Sequence, residues 1–292
     1  MLDLNLNLYK IFHVVAKSKS YSDASNKLNI SIQAISKNIM QLEKILDTQL
    51  FFREKDGIRL TRTGKELFKH IDIALSSVDF GEKLIFQKND LSNGEIVIGC
   101  PSHLTNFYLM DCIEKARIDY PDFKIRLMSG FNSDEMIKLL QDHKIDFIID
   151  TAHIETNYNN IIIQEIKEME NIFISKQQLK VNDLKELENL RYILNFEYTS
   201  TTKKLMETLI RYNISIKASI ECDITELRID CVKRNLGIGY VMRESVKKEL
   251  ENKELYEVEL PIELPISKMN LIYVKEQLTE VDKKFIKQYL RN

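Results

Sequence analysis

Residues 20–64 read SYSDASNKLNISIQAISKNIMQLEKILDTQLFFREKDGIRLTRTG, and the spacing within this stretch predicts a helix-turn-helix followed by a wing. Just ahead of it, Leu8, Ile11, Phe12, Val15 and Ala16 recur at helical intervals, as in a helix buried along one face. Ser22 and Ser31 stand where two further helices would need a side-chain oxygen for their unpaired first N–H groups. Ala24 is small enough to let those helices cross closely, Leu28 and Ile30 fill the turn, and Ile35, Ile39, Leu42 and Leu46 form the inward stripe of the second. The other face carries Gln33, Ser36, Lys37, Asn38 and Gln41. Side chains of this kind reach base edges when the start of such a helix enters the major groove. Polar residues opposite an apolar stripe also describe any surface helix, so the residues that follow decide between the two readings.

Residues 50–60, LFFREKDGIRL, have apolar ends around a charged tip, with Gly57 free to take positive φ, and so predict a short hairpin. A basic-tipped hairpin directly after such a helix suits a wing that touches phosphates or the minor groove. Charge agrees. Residues 1–70 hold 12 Lys and Arg against 7 Asp and Glu, a balance of +5, whereas the whole chain carries −2 and its remainder therefore −7. This asymmetry is the one expected when a single domain meets double-stranded DNA.

With 292 residues, 44% of them apolar, the chain has material for two or three domains. The start, MLDLNLNLYK, lacks a basic leader region, and no apolar run approaches the roughly 18 residues of a spanning helix, so a cytoplasmic protein without a membrane partner is expected. Four cysteines without a C-x-x-C pair fit a reducing compartment. From residue 63 to about residue 88 no proline intervenes. Leu67, Ile71, Ala74, Val78, Gly81 and Ile85 alternate steps of four and three, which predicts a long helix with a seam for a second copy or for its own chain. Gly81 weakens that seam.

Past Asn93 and Gly94 the pattern alternates strands with helices. Strands are expected at 95–100, 124–128 and 146–150, with helices at 105–117 and 133–141 between them. A second series follows, with strands at 161–166, 171–175, 192–195, 217–221 and 237–241 and helices near 181–188, 201–212 and 224–234. Two such series predict two similar α/β lobes, and Pro261 and Pro265 bracket a connection to a last strand at 270–274 and a Thr279-capped helix that returns to the first lobe.

Phe12, Ser20, Tyr21, Ala24, Leu28, Ser31, Ala34, Ile35, Ser36, Lys37, Ile39, Leu42 and Glu43 form one continuous pattern. It runs on through Leu46, Leu50, Phe51 or Phe52, Arg53, Leu60, Thr61 and Gly64. With Ile98-Gly99, Tyr120-Pro121, Asp146, Val232 and Leu236-Gly237-Ile238-Gly239 farther on, the chain resembles the LysR-type transcriptional regulators over nearly its whole length. The resemblance implies an α/β multidomain protein. It would have an α-rich winged helix-turn-helix over 1–62, a linker and dimerisation helix over 63–90, and a two-lobed domain like the periplasmic solute-binding proteins. Lobe I would cover 91–162 and 266–292, and lobe II 163–265. A small-molecule effector would occupy the interlobe cleft, and the protein would assemble as a homodimer or homotetramer.

Carried over by position, Ser31 and Arg53 would anchor phosphate, while Gln33, Ser36 and Lys37 would face bases. Ile32 stands where the family usually has Gln, which replaces a polar base contact by an apolar one to a thymine methyl. Asp47 replaces a turn glycine, and Asp also tolerates the left-handed conformation. Met242 replaces a common proline.

In the rear domain, Pro101-Ser102-His103 and Thr199-Ser200-Thr201-Thr202 each lie between a strand end and a helix start. Helix N-termini present free N–H groups and partial positive charge, so two of them facing one cleft favour a carboxylate or another small anion. Ser and Thr at helix starts also serve as plain caps. The resemblance implies a further wall at Ser129 and Gly130 after the second strand, and Ser102, His103, Ser129, Thr199, Ser200 and Thr202 make the expected effector set.

No spacing suggests a metal site, a cofactor or a catalytic Ser-His-Asp set, and Gly237-Ile238-Gly239 lacks the third glycine of a dinucleotide fingerprint. Two other readings keep the DNA-binding head: a rear domain that acts as an enzyme on a metabolite, and a thiol redox sensor using Cys222 and Cys231.

Overall fold

A computed structural model describes residues 5–54, 57–86, 91–151 and 160–290. The chain divides into two compact units, Met1–Phe86 and Gln87–Asn292.

The first unit begins with α1 (Leu6–Ala16), which buries Leu8, Ile11, Phe12 and Val15, the expected stripe. Next comes α2 (Tyr21–Leu28), capped by Ser20, whose Oγ accepts from Asp23 N at 3.1 Å. Ser22, the expected cap, lies exposed within the helix instead. The helix starts earlier because Asp23 Oδ2 also accepts from Lys19 N at 3.1 Å, fixing the entry turn two residues ahead of Ser22. Asn29 ends α2 in the left-handed conformation at φ +54°. Ser31 caps α3 (Ile32–Ile45) as expected, its Oγ accepting from Ala34 N at 3.1 Å. The left-handed turn after α3 is carried by Asp47 at φ +46°.

The wing is the antiparallel pair β1 (Phe51–Glu54) and β2 (Gly57–Leu60), with Phe51 opposite Leu60. Glu43 ties it to α3, since one carboxylate oxygen accepts from Leu50 N at 2.7 Å and Phe51 N at 3.3 Å. Two backbone donors that the strand leaves over are thereby satisfied. The long helix is α4 (Arg62–Phe86). Thr61 Oγ1 accepts from Gly64 N at 3.0 Å and donates to Gln49 O at 2.7 Å, so one hydroxyl joins the helix start to the chain entering the wing. Asp72, buried on α4, bonds His13 Nε2 at 2.8 Å and Lys17 Nζ at 2.9 Å, fastening α4 to α1.

The second unit holds two five-stranded sheets. β3 (Glu95–Gly99) leads into a helical run made of α5 (Ser102–Leu104), a π turn (Thr105–Leu109) and α6 (Met110–Asp119). This run is longer at both ends than the 105–117 helix expected. Then follow β4 (Lys124–Met128), α7 (Ser133–Gln141), β5 (Phe147–Asp150) and β6 (Ile161–Met169). Asp146 Oδ2 accepts from Val97 N at 2.6 Å, locking the entry of β5 beside β3.

The second lobe starts at β7 (Asn171–Ser175). The helix expected near 181–188 is a 3-10 helix, Leu184–Asn189, opened by a capping box of Asp183 and Glu186. The lobe continues through β8 (Tyr192–Leu194), α8 (Ser200–Arg211), β9 (Ala218–Glu221), α9 (Thr225–Lys233), β10 (Ile238–Met242), α10 (Lys247–Glu251) and β11 (Tyr256–Glu257). The chain then returns to the first lobe as β12 (Ser267–Val274) and α11 (Glu280–Phe285), the latter capped by Thr279 as expected.

Sheet order is β4-β3-β5-β12-β6 in the first lobe and β11-β7-β10-β8-β9 in the second. In each, four strands run in one direction and one runs against them, β12 in the first lobe and β7 in the second. The whole of β6 pairs with β12, so the first lobe extends to Met169 rather than ending at 162. The nine-residue strand continues past the expected 161–166 because Glu165, Lys167 and Glu168 lie exposed on an edge of the sheet, where charge is tolerated. Asn171, where the chain enters the second lobe, donates through Nδ2 to Pro265 O at 2.8 Å and Ser267 Oγ at 2.9 Å, where it leaves. Apolar side chains pack against both faces of each sheet.

Candidate functional site

In the first unit, α3 buries Ile35, Ile39 and Leu42, which turns Gln33 and Lys37 fully outward and leaves Ser36 half-buried between them. Ile32 is 48% exposed at the first turn, a placement open to an apolar partner. Ser31 has its hydroxyl engaged in the cap. Asn38 is drawn back onto its own helix, donating to Ala34 O at 2.7 Å, and so is less available than its neighbours. Arg53 sits on β1 opposite Ile58, and its side chain lies outside the described residues. Arg59 on β2 lies over the Phe52 ring at 5.3 Å, which holds a guanidinium at the wing surface. Sequence reasoning noted the hairpin's charge and did not single this residue out.

In the second unit a cleft of about 1000 Å³ opens between the two lobes. Ser102 and His103 line it from the first lobe, and Thr199, Ser200 and Thr202 line it from the second. Ser129 does not line it. The wall there is Gly130, Phe131 and Asn132, with Gly130 at φ +82° turning the chain into the cleft one residue later.

The hydroxyls at the start of α8 divide into two kinds. Thr199 Oγ1 donates to Phe196 O at 2.8 Å, and Thr202 Oγ1 contacts Asn195 O at 3.4 Å, so both brace their own loop. Ser200 and Thr201 have no side-chain bond among the described residues, and no side chain caps α8. Its first-turn N–H groups therefore keep the partial positive charge of a helix start beside the cleft.

His103 and Arg228 act on each other electrostatically from opposite lobes. Burial, reinforced by that guanidinium, lowers the His103 pKa to about 4, so the ring is neutral at pH 7. The unfolded chain takes up this proton near pH 6.5 and the folded one only near 4. The sensor unit is therefore expected to lose stability as pH falls through that window, with no such loss above it. His103→Gln should flatten this part of the curve of melting temperature against pH; an unchanged curve would discard the assignment.

Arg228 itself, on α9, is 6% exposed, and sequence reasoning missed it. It donates from Nη1 to Cys222 O at 2.6 Å and from Nη2 to Thr225 Oγ1 at 2.9 Å. Burial lowers its pKa, and Asp223 and Glu226 oppose that effect. Among the described residues no carboxylate comes within ion-pair distance of it. Asp150, 5% exposed at the end of β5, accepts from Ser133 Oγ at 3.1 Å and was likewise missed. The lobes also meet directly where Asn106 Nδ2 donates to Glu226 Oε1 at 2.7 Å.

Among the described residues, the cleft walls carry the carboxylates of Asp134, Glu135, Asp150, Asp223 and Glu226 against the cations of Lys203 and Arg228. The cleft is acidic apart from its Arg228 corner. Cys100 and Cys112 are buried, and burial pushes their thiols up to about 12 and about 11, away from reactive thiolate. Among the described residues no group of three His, Cys, Asp or Glu could hold a metal, and no helix is long and apolar enough to cross a membrane.

Two family models match the chain: a bacterial regulatory helix-turn-helix protein, lysR family, over residues 6–65, and a LysR substrate binding domain over residues 89–292. The chain is similar to the uncharacterized HTH-type transcriptional regulator YoaU of Bacillus subtilis, at 28% identity over 261 residues, covering 87% of this chain and 88% of the relative. It is also similar to the transcriptional dual regulator GltC of the same organism, at 26% identity over 286 residues, covering 95% and 93%. Among solved structures, a probable transcriptional regulator, PA0477 of Pseudomonas aeruginosa, superposes with a TM-score of 0.71 at 15% identity, covering 98% of this chain and 96% of the other. The full-length virulence activator AphB of Vibrio cholerae gives 0.58 at 18% identity, covering 98% and 100%. Both are likenesses of fold alone.

Proposed function

The chain belongs to the LysR family of DNA-binding transcriptional regulators, and on that footing we propose that a small metabolite held in the interlobe cleft changes how the protein occupies its operator. The observation that carries this reading is the cleft of about 1000 Å³ walled by both lobes, with an uncapped helix start and a buried guanidinium on one side. A compound touching both walls stabilises one spacing of the lobes over others, and that difference in affinity is what shifts a two-state equilibrium.

Gln33, Ser36 and Lys37 read bases in this proposal, Ile32 makes an apolar base contact, and Ser31 and Arg53 hold phosphate. Ser102, His103, Ser200 and Thr201 touch the effector, while Thr199 and Thr202 support the loop. The protein works as a homodimer or homotetramer in the cytoplasm. Support for self-association comes from α4, where Val78 is 54% exposed and Ile85 78%, on the seam the sequence predicted.

The test combines promoter-fragment titration with ligand recovery. A panel of carboxylates, sugars and amino acids is screened for a rise in melting temperature, and each binder is added to a titration of operator DNA. The expected result is salt-sensitive DNA binding whose affinity or footprint changes with one bound equivalent of a ligand recovered unchanged. Turnover of the ligand, or operator binding indifferent to every binder, would overturn the proposal.

A further inference from the structure

Three residues of the second lobe that line the cleft each leave a buried polar side-chain atom unpaired, Arg228 Nε, Asn171 Oδ1 and Ser245 Oγ, and the first two are complementary. Arg228 spends Nη1 and Nη2 on Cys222 O and Thr225 Oγ1, and its buried Nε has no partner. Asn171, 5% exposed, spends its Nδ2 on Pro265 O and Ser267 Oγ, and its buried Oδ1 has no partner. The orientation of that amide is fixed chemically, because a proline carbonyl only accepts. Of the complementary two, one is thus a cationic donor and the other a neutral acceptor, and both belong to residues lining the same cleft.

Each of the two asks for an opposite group. A buried guanidinium without a carboxylate partner is costly until an anion reaches it, and a carboxylate is the shape its planar fork accepts best. A buried amide oxygen asks for an N–H or O–H donor. The walls select between these donors by charge, since Asp150 and four further carboxylates face Lys203 and Arg228 alone among the described cations. A plain mono- or dicarboxylate would answer Arg228 and meet net repulsion elsewhere. A plain amine would suit the acidic walls and leave Arg228 without a counter-ion.

Resting on the effector reading above, we infer that the cleft takes a zwitterion carrying one carboxylate and one ammonium group, the charge pattern of a free amino acid. Its carboxylate meets Arg228, and its ammonium lies toward Asn171 Oδ1 and the Asp150 carboxylate. The side chain selects among such ligands in the remaining space.

The test uses the full chain and a defined set of probes: the twenty protein amino acids, β-alanine and γ-aminobutyrate. Every compound that raises the melting temperature is compared with its des-amino carboxylate and its decarboxylated amine by calorimetric titration. The expected result is at least one binder whose affinity falls tenfold or more when either charged group is removed, and tenfold or more in Arg228→Met. The ligand series keeps the test valid even if that variant folds poorly. No binder in the set, or a carboxylate or amine that binds as tightly as its parent zwitterion, would overturn the inference. The last two outcomes leave the effector reading standing, because that reading fails on a separate measurement, operator binding unmoved by a saturating ligand.

Discussion

Gly64→Ala is expected to destabilise the DNA-binding unit by about 2–3 kcal/mol, although alanine is the better helix former by about 1 kcal/mol. The sign follows from sterics. A Cβ at Gly64 would collide with the Leu50 carbonyl, which accepts from Thr61 N at 2.9 Å while Glu43 holds the N–H groups of Leu50 and Phe51 on either side of it. No side-chain rotation relieves such a clash, so α4 or the wing must move. Gly81 on the same helix supplies the control, because an added Cβ there meets nothing within 4 Å. Gly81→Ala should therefore stabilise by up to about 1 kcal/mol. For a unit of this size the loss at Gly64 corresponds to a drop of roughly 10–20 °C in its unfolding transition. Calorimetry of both variants, with operator binding in parallel, checks the pair. Equal and small shifts would show that the Leu50–Gly64 approach is not tight.

The other large effect separates reading from anchoring. Lys37→Ala removes an outward side chain of α3 and is expected to weaken operator binding by about tenfold to a hundredfold while changing scrambled DNA far less. Arg53→Ala should weaken both DNAs alike and lower the slope of log affinity against log salt by about one. Parallel gel-shift titrations at several salt concentrations distinguish the two. Lys37→Ala acting equally on both sequences would move that residue to the phosphate class, and no effect from either variant would remove α3 and the wing from the interface.

How far the residues announce this structure depends on the range of the interactions involved. The head was legible almost element by element, since helical stripes, Ser31 as a cap and Asp47 as a left-handed turn are local signals. The error at Ser22 has a local cause too. Four serines between residues 18 and 25 compete for one cap, and the decision falls to the Asp23–Lys19 bond.

The succession of strands and helices along the lobes followed from alternation, whereas their order within each sheet did not. Nor did the ends: the extra length of β6 is set by its partner β12, about a hundred residues away. In the cleft, Ser102 and Ser200 could be found because they follow strand ends, whereas Arg228, Asp150 and Asn171 could not. Each is polar within an otherwise ordinary run, and what marks it is burial in the folded chain, for Asn171 against Pro265 and Ser267 far along the sequence. Of the expected pair Ser129 and Gly130 only Gly130 lines the cleft, because the left-handed turn that faces it falls there.

The amide bridge from Asn171 to Pro265 and Ser267 has a mechanical consequence. It pins the outgoing and returning chain passages side by side at one point, which resists lengthwise slippage of either passage past the other. Two further bonds clasp the same halves of the sensor away from that point, Asn106 Nδ2 to Glu226 Oε1 at 2.7 Å and Lys167 Nζ to Glu244 Oε1 at 3.3 Å, so any swing of one half against the other falls on these outer clasps before it reaches the inner pin.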